Sequence, residues 1–256
     1  MIDPRAVISP QAQIASDVEI GPFSIVGADV VIGAGTWVGP HVVINGPTRI
    51  GEGNKIFQFA SLGDAPQDKK YQGEPTRLEI GDRNVFRESV TVNRGTILDQ
   101  GVTRIGSDNL FMAYSHVAHD CRLGDQIVLA NCATLGGHVE IGDWVTLGGL
   151  SAVHQYTKVG AYSFIAHSAA VTRDVPPYIM TVGRPAVPHS INAVGLQRRG
   201  FTPEQIRNVR RAYRLLYRSG LKLKAAVEEL EKAAETQAEI RVFVEFIKRS
   251  ERSIVR

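Results

Sequence analysis

The chain has 256 residues, with 29 basic against 26 acidic side chains and a net charge of +3. That near-balance excludes a protein whose whole surface is built to hold nucleic acid. Two cysteines, Cys121 and Cys132, lack CxxC spacing, so they suggest neither a disulfide framework nor a zinc knuckle but buried thiols in a reducing compartment. No apolar run reaches the roughly 18 residues of a membrane span. The opening MIDPRAVISP has no charged segment followed by an apolar one. The expectation is a cytoplasmic protein.

From the N-terminus, aliphatic residues recur at every sixth position: Ile8, Ile14, Ile20, Val26, Ile32, Val38, Ile44, Ile50, Ile56 and Leu62. The series restarts at Ile80, Phe86 and Val92, and resumes at Ile105, Phe111, Val117, Leu123, Leu129, Leu135, Ile141, Leu147, Val153, Val159, Ile165 and Val171. A helix buries a stripe of period 3.6 and cannot use this pattern. A strict hexad predicts a β-helix, with one short strand and one corner per hexad, three hexads to a triangular coil, and the aliphatic residue pointing inward. Strands stacked about 4.8 Å apart would make a prism on the order of 40 Å long. Gly often follows the aliphatic residue, as at Gly21, Gly33 and Gly81, and is expected to supply positive φ at the corner.

The repeat region spans residues 1–175 and is interrupted twice. Between Leu62 and Ile80 the six-residue phase is kept, yet Asp68 and Glu74 fall in inward slots, so a loop near 64–78 is predicted to leave the coil. Between Val92 and Ile105 the phase slips by one, which gives a second loop near 94–103. Loops on a rigid scaffold are where function tends to sit. After Val171 the prolines of DVPPY stop the strands. A helical subdomain is predicted over 190–256. Thr202 caps its first long helix, with Pro203 at N1, Gln205 at N3 and Gly220 past its end. Further helices are expected near 222–235 and 238–250. The first long helix and its exit carry Arg207, Arg210, Arg211, Arg214, Arg218, Lys222 and Lys224 against the single acid Glu204. This is either a solvated face or a docking surface for an acidic partner.

The densest polar cluster is His116, His119, Asp120 and Cys121. His138 follows His119 by nineteen residues, and His154 follows His138 by sixteen, each close to one coil of eighteen. Four histidines are therefore expected along one strip. Histidine is the usual general base near neutral pH, Asp120 can orient His119, and the Gly137 N–H can serve an oxyanion. Three imidazoles can also hold zinc, which is the second reading of the cluster.

The stretches QDKKYQGEPT, RESVTVNRGT, GSDNL, HVAHDC, LANCATLGGHV, AVHQY, DVPPY and GLQRRGF resemble the UDP-N-acetylglucosamine O-acyltransferases that open lipid A biosynthesis. The resemblance spans nearly the whole chain. It implies a left-handed parallel β-helix with a C-terminal helical subdomain, a homotrimer with active sites between subunits, and acyl transfer from acyl carrier protein to the sugar 3-position. It implies no metal and no cofactor beyond the acyl-carrier-protein thioester as co-substrate. It matches His119 to the general base, Asp120 to its acid partner and Gly137 to the oxyanion donor. It matches Gln67, Asp68, Lys70, His116, His138, His154 and Gln155 to sugar and acyl positioning, and Asn192, Arg198 and Arg199 to nucleotide contacts. An acidic carrier protein favours the docking reading of the basic helix.

Three positions depart from the family's pattern. Asn93 replaces a common His near the acceptor, which raises a 3-amino UDP-sugar as an alternative acceptor. His167 replaces the residue, often Gly, that caps the acyl groove, which predicts a medium chain near C10–C12. Val194 replaces an acid that contacts the nucleoside. The rivals are a later N-acyltransferase, disfavoured because the hexads begin by residue 8, an acetyl-CoA enzyme, which usually lacks the RRGF helices, and a non-catalytic β-helical scaffold.

Overall fold

A computed structural model describes residues 1–256. Short strands, most of two residues, fall into sheets of nine, eight and ten strands. Through the repeats each sheet takes every third strand, so the chain winds as a three-sided parallel β-helix. Its hand is left. The register stacks like on like: Val92 faces Val117, then Leu135, Val153 and Val171. These side chains point into the prism, where Phe86 and Phe111 lie parallel at 4.7 Å, both fully buried. Each such aliphatic side chain contributes about 1.5–3 kcal/mol by leaving water.

The corners work differently from the sequence expectation. Positive φ falls three residues after the inward aliphatic, and mostly on side-chain-bearing residues: Tyr114, Asp120, Gln126, Cys132, His138, Trp144, Leu150 and Tyr156, six apart. No β-branched residue occupies such a site, because a branched Cβ tolerates this conformation least. The glycine directly after the aliphatic residue is needed instead for close approach. A Cβ on Gly33 would sit 2.6 Å from the carbonyl of Gly51, and one on Gly81 would sit 2.7 Å from the Gly106 oxygen.

Two segments leave the coil. One lies between strands Ser61–Asp64 and Arg77–Ile80, the other between Thr91–Asn93 and Val102–Ile105. Beyond the last hexad the ten-stranded sheet continues. Ile179–Val182 pairs parallel with Phe164–Ile165, and Val187–Ile191 turns back antiparallel to it. This hairpin lacks the hexad signature because it closes the prism rather than repeating it.

Four helices follow: α1 Ala193–Arg198, α2 Pro203–Arg218, α3 Leu223–Ala234 and α4 Ala238–Arg249. Thr202 and Gln205 form a reciprocal capping box on α2, and Gly220 has φ of 77° just past its end. The buried Asn208 side chain donates to Glu239 at 2.9 Å and ties α2 to α4. The C-terminal tail returns to the last coil, where the Val255 N–H donates to the Asp174 carbonyl at 2.8 Å. No helix is long and apolar enough to cross a membrane.

Candidate active site

His116, His119 and Asp120 come from the nine-stranded sheet's strand His116–Val117 and the corner after it. Asp120 sits at the left-handed corner position, with φ of 59°. Eighteen residues on, His138 takes the same corner position, and Tyr156 takes it again. The residue stacked on His119 is therefore Gly137. A Cβ at Gly137 would lie 2.5 Å from His119 Cε1 and 2.7 Å from Nε2, so glycine is what lets the imidazole rest on the next coil.

Asp120 is 1% exposed. His119 Nδ1–H donates to Asp120 Oδ2 at 2.9 Å, which fixes the tautomer and leaves Nε2 free to accept a proton. The Asp120 carboxylate also accepts from the Thr96 N–H at 2.9 Å and the Thr96 hydroxyl at 2.7 Å. Burial opposes ionisation of Asp120, yet the bonds from His119 and Thr96 and the nearby His138 outweigh it and hold its carboxyl below the usual range. His116 is pushed down by burial and by neighbouring His119, which favours its neutral form; its Nδ1 lies 2.7 Å from the Thr91 hydroxyl.

His138 stands edge-on to His119, with ring centroids 5.2 Å apart. Its Nε2 is 3.7 Å from Asp120 Oδ2 and its Nδ1 is 3.6 Å from Asp99 Oδ2. Tyr156 covers its other face at 4.3 Å. The buried Gly137 N–H has no acceptor within the chain, which leaves a donor beside His119 Nε2.

The predicted strip of four histidines is thus shorter. His154 belongs to the Ala118–Gly136 column, is exposed, and turns its Nδ1 to the Gln155 carbonyl at 3.0 Å. The place beside His138 goes to Tyr156, whose eighteen-residue spacing was the available signal. Gln155 continues the His119–Gly137 column, and its carbonyl also accepts from Arg252 of the C-terminal tail at 3.0 Å.

The remaining candidates lie elsewhere. Gln67, Asp68 and Lys70 are on the first loop, where Asp68 and Lys70 line a cleft of about 270 Å³ shared with Thr96, Ile97 and Leu98 of the second. Asn93 is buried and donates to the Ala65 carbonyl at 3.0 Å, so it fastens the first loop. Asn192 caps α1 by accepting from the Gly195 N–H at 3.2 Å and donates to the Tyr162 carbonyl at 2.9 Å. Arg199 lies over Trp144 at 4.8 Å, and burial lowers its pKa. Arg198 and Val194 are exposed. His167 is also exposed, in the corner before Ala170–Val171, whereas His119 is in the corner after His116–Val117. These are opposite edges of the nine-stranded sheet, so one chain does not bring His167 to His119.

His119, Asp120 and His138 bring possible metal ligands within 4.8 Å of one another. Both Asp120 oxygens already accept hydrogen bonds, from Thr96 and His119, so a cation there would have to displace them. The donor set fits a hydrogen-bonded acid–base pair better than a zinc cage.

Residues 174–255 match the model of domain 2 of UDP N-acetylglucosamine O-acyltransferase, and residues 29–63 match the bacterial transferase hexapeptide repeats. The acyl-[acyl-carrier-protein]–UDP-N-acetylglucosamine O-acyltransferase of Halorhodospira halophila is 54% identical over 255 residues, covering 100% of this chain and 99% of that one. The corresponding structure from Acinetobacter baumannii superposes with a TM-score of 0.97 at 45% identity, covering 100% and 99% of the two chains. The Francisella novicida UDP-N-acetylglucosamine acyltransferase gives 0.98 at 43%, covering 100% and 94%. Full-length identity at this level, over a fold that brings His119, Asp120 and Gly137 to one corner, makes this chain a member of the UDP-N-acetylglucosamine O-acyltransferase family.

Proposed function

We propose that the protein transfers a 3-hydroxyacyl chain from an acyl-carrier-protein thioester to the 3-hydroxyl of UDP-N-acetylglucosamine, in lipid A biosynthesis. The observation that carries this is the His119–Asp120 pair at 2.9 Å, set against the unpartnered N–H of Gly137. His119 Nε2 takes the proton of the sugar hydroxyl as its oxygen attacks the thioester carbonyl. Asp120 stabilises the imidazolium that forms. The Gly137 N–H receives the tetrahedral oxyanion. Collapse expels the carrier's thiolate, which takes the proton back from His119. The thioester supplies the activation, so no cofactor is required.

His116 and His138 flank the base and orient sugar and acyl groups, while Gln67, Asp68 and Lys70 of the first loop and His154 and Gln155 of a later corner make further contacts with the same substrates. Arg198 and Arg199 take the diphosphate. Asn93, held by Ala65, gives no specific support to the 3-amino acceptor. The separation of His167 from His119 supports a cleft completed by a second subunit, within a homotrimer. Arg210, Arg214 and Arg218 line a shallow cleft on α2, which suits an acidic carrier protein.

An acyl-transfer assay with a panel of 3-hydroxyacyl carrier-protein thioesters, UDP-N-acetylglucosamine and its 3-amino analogue tests this. We expect ester product, lost about 10²- to 10⁴-fold in His119→Ala. No transfer with any pair, or an active His119→Ala protein, would overturn it and reopen the zinc and scaffold readings.

A further inference from the structure

The second loop reaches the acid of the catalytic pair through one residue. Thr96 is 3% exposed, lies 24 residues before Asp120 in the chain, and meets both of its carboxylate oxygens. Its N–H holds Oδ1 at 2.9 Å; its hydroxyl donates to Oδ2 at 2.7 Å, the oxygen that also receives His119 Nδ1–H. The carbonyl of the same residue accepts from the Gly101 N–H at 3.1 Å, so Thr96 also closes its own loop. Asp99 makes a second grip, facing His138 and paired with Arg122.

We infer that Thr96 is a positioning residue for acyl transfer, fixing through Asp120 the angle at which His119 presents Nε2. The inference rests on His119 being the base. Asp120 cannot be held by the coil alone: its own N–H donates to Thr103 at 2.8 Å, and nothing else in the corner donates to Oδ1. A buried carboxylate needs its lone pairs met, and a carboxylate held at two oxygens cannot swing away from the imidazole. The charged or titratable groups around the pair are His116, Cys121, His138, Asp99 and Arg122. None of them replaces the Thr96 hydroxyl at Oδ2, since His138 is 3.7 Å away. The loop thus makes the base competent while its tip, Ile97 and Leu98, stays exposed at the neighbouring cleft.

Thr96→Val removes the hydroxyl and keeps the shape and the backbone N–H. We expect kcat to fall about 10- to 100-fold, as for a lost hydrogen bond to a buried charge, with KM for the sugar nucleotide unchanged. Thr96→Ser should restore most of the rate. In a double-mutant cycle, Thr96→Val should cost nothing further once Asp120→Asn is present, because its effect runs through that carboxylate. Activity within twofold of the parent, or losses that add in the cycle, would overturn the inference. A second readout is independent of turnover: the downfield Nδ1–H proton resonance of His119 should shift or vanish in Thr96→Val and return in Thr96→Ser. An unchanged resonance would equally overturn the positioning role. If the parent protein makes no product, the acyltransferase reading fails, and the resonance alone decides the role of Thr96. Thr96→Ala serves in place of valine if the latter does not fold.

Discussion

Two of the prism's corners use buried polar side chains in opposite ways. Along one corner, Asn54, Asn84 and Asn109 form a closed ladder. Asn84 donates to Asn54 Oδ1 at 3.0 Å and to the Gly106 carbonyl at 3.0 Å, and accepts from the Asn109 N–H at 3.0 Å. Every rung is satisfied by the coil above or below. At the corner of His119 the ladder is broken. Asp120 takes two of its partners from an inserted loop, His119 Nε2 makes no hydrogen bond within the chain, and the Gly137 N–H has no acceptor. Satisfied polar groups rigidify a fold, while unsatisfied ones next to a cleft are available to a substrate. At the His119 corner the repeat stops supplying all the partners, and an inserted loop supplies some of them.

The largest contrast should come from Gly137→Ala. The new methyl would lie 2.5 Å from His119 Cε1, so the ring or the coil must move. Displacing the base relative to the oxyanion donor should cost about 10²- to 10³-fold in kcat, the range for losing an oxyanion-hole contact. Substrate affinity should change much less. A variant retaining more than a tenth of parental kcat would mean that Gly137 is only a packing residue.

Asn84→Ala probes the closed corner. It leaves the Asn109 N–H and the Gly106 carbonyl without their partner inside a dry corner. Each orphaned group costs about 1–3 kcal/mol, so the thermal midpoint should fall by several degrees. Activity per folded molecule should stay near parental. A large loss of kcat with an unshifted midpoint would mean that the two corners are not functionally separate.

Much of this contrast is legible in the sequence. The hexads Ile105 to Val171 set the register, and so which residues share a column. His119 beside Asp120, with Gly137 eighteen residues on, already describes the reactive corner. The share of Thr96 is not legible, because a loop's return path depends on contacts 24 residues away that no period encodes. The left-handed corners at Tyr114 and Asp120 are hidden for a different reason. Coil closure imposes positive φ on residues whose own preference opposes it, and leaves glycine for close approach. The hairpin Ile179–Ile191 carries no hexads because its second strand turns back antiparallel on the first instead of going round another coil.

The smallest expected effect concerns the far edge of the same sheet. His167 is exposed, and its Nδ1 lies 3.6 Å from where a Cβ on Gly149, one coil below, would sit. Its imidazole therefore fills space above a glycine, as a stop at the end of a groove would. Removing it should lengthen the groove without touching the His119 corner. His167→Gly should shift preference towards thioesters two to four carbons longer, with kcat on the best chain nearly unchanged. Each added methylene that finds room is worth about 0.8 kcal/mol, close to fourfold in kcat/KM. Competition between C10, C12 and C14 carrier-protein thioesters reads this directly. An unmoved preference would place the end of the groove at another residue, and a fall on every chain alike would mean that the two edges of the sheet are coupled.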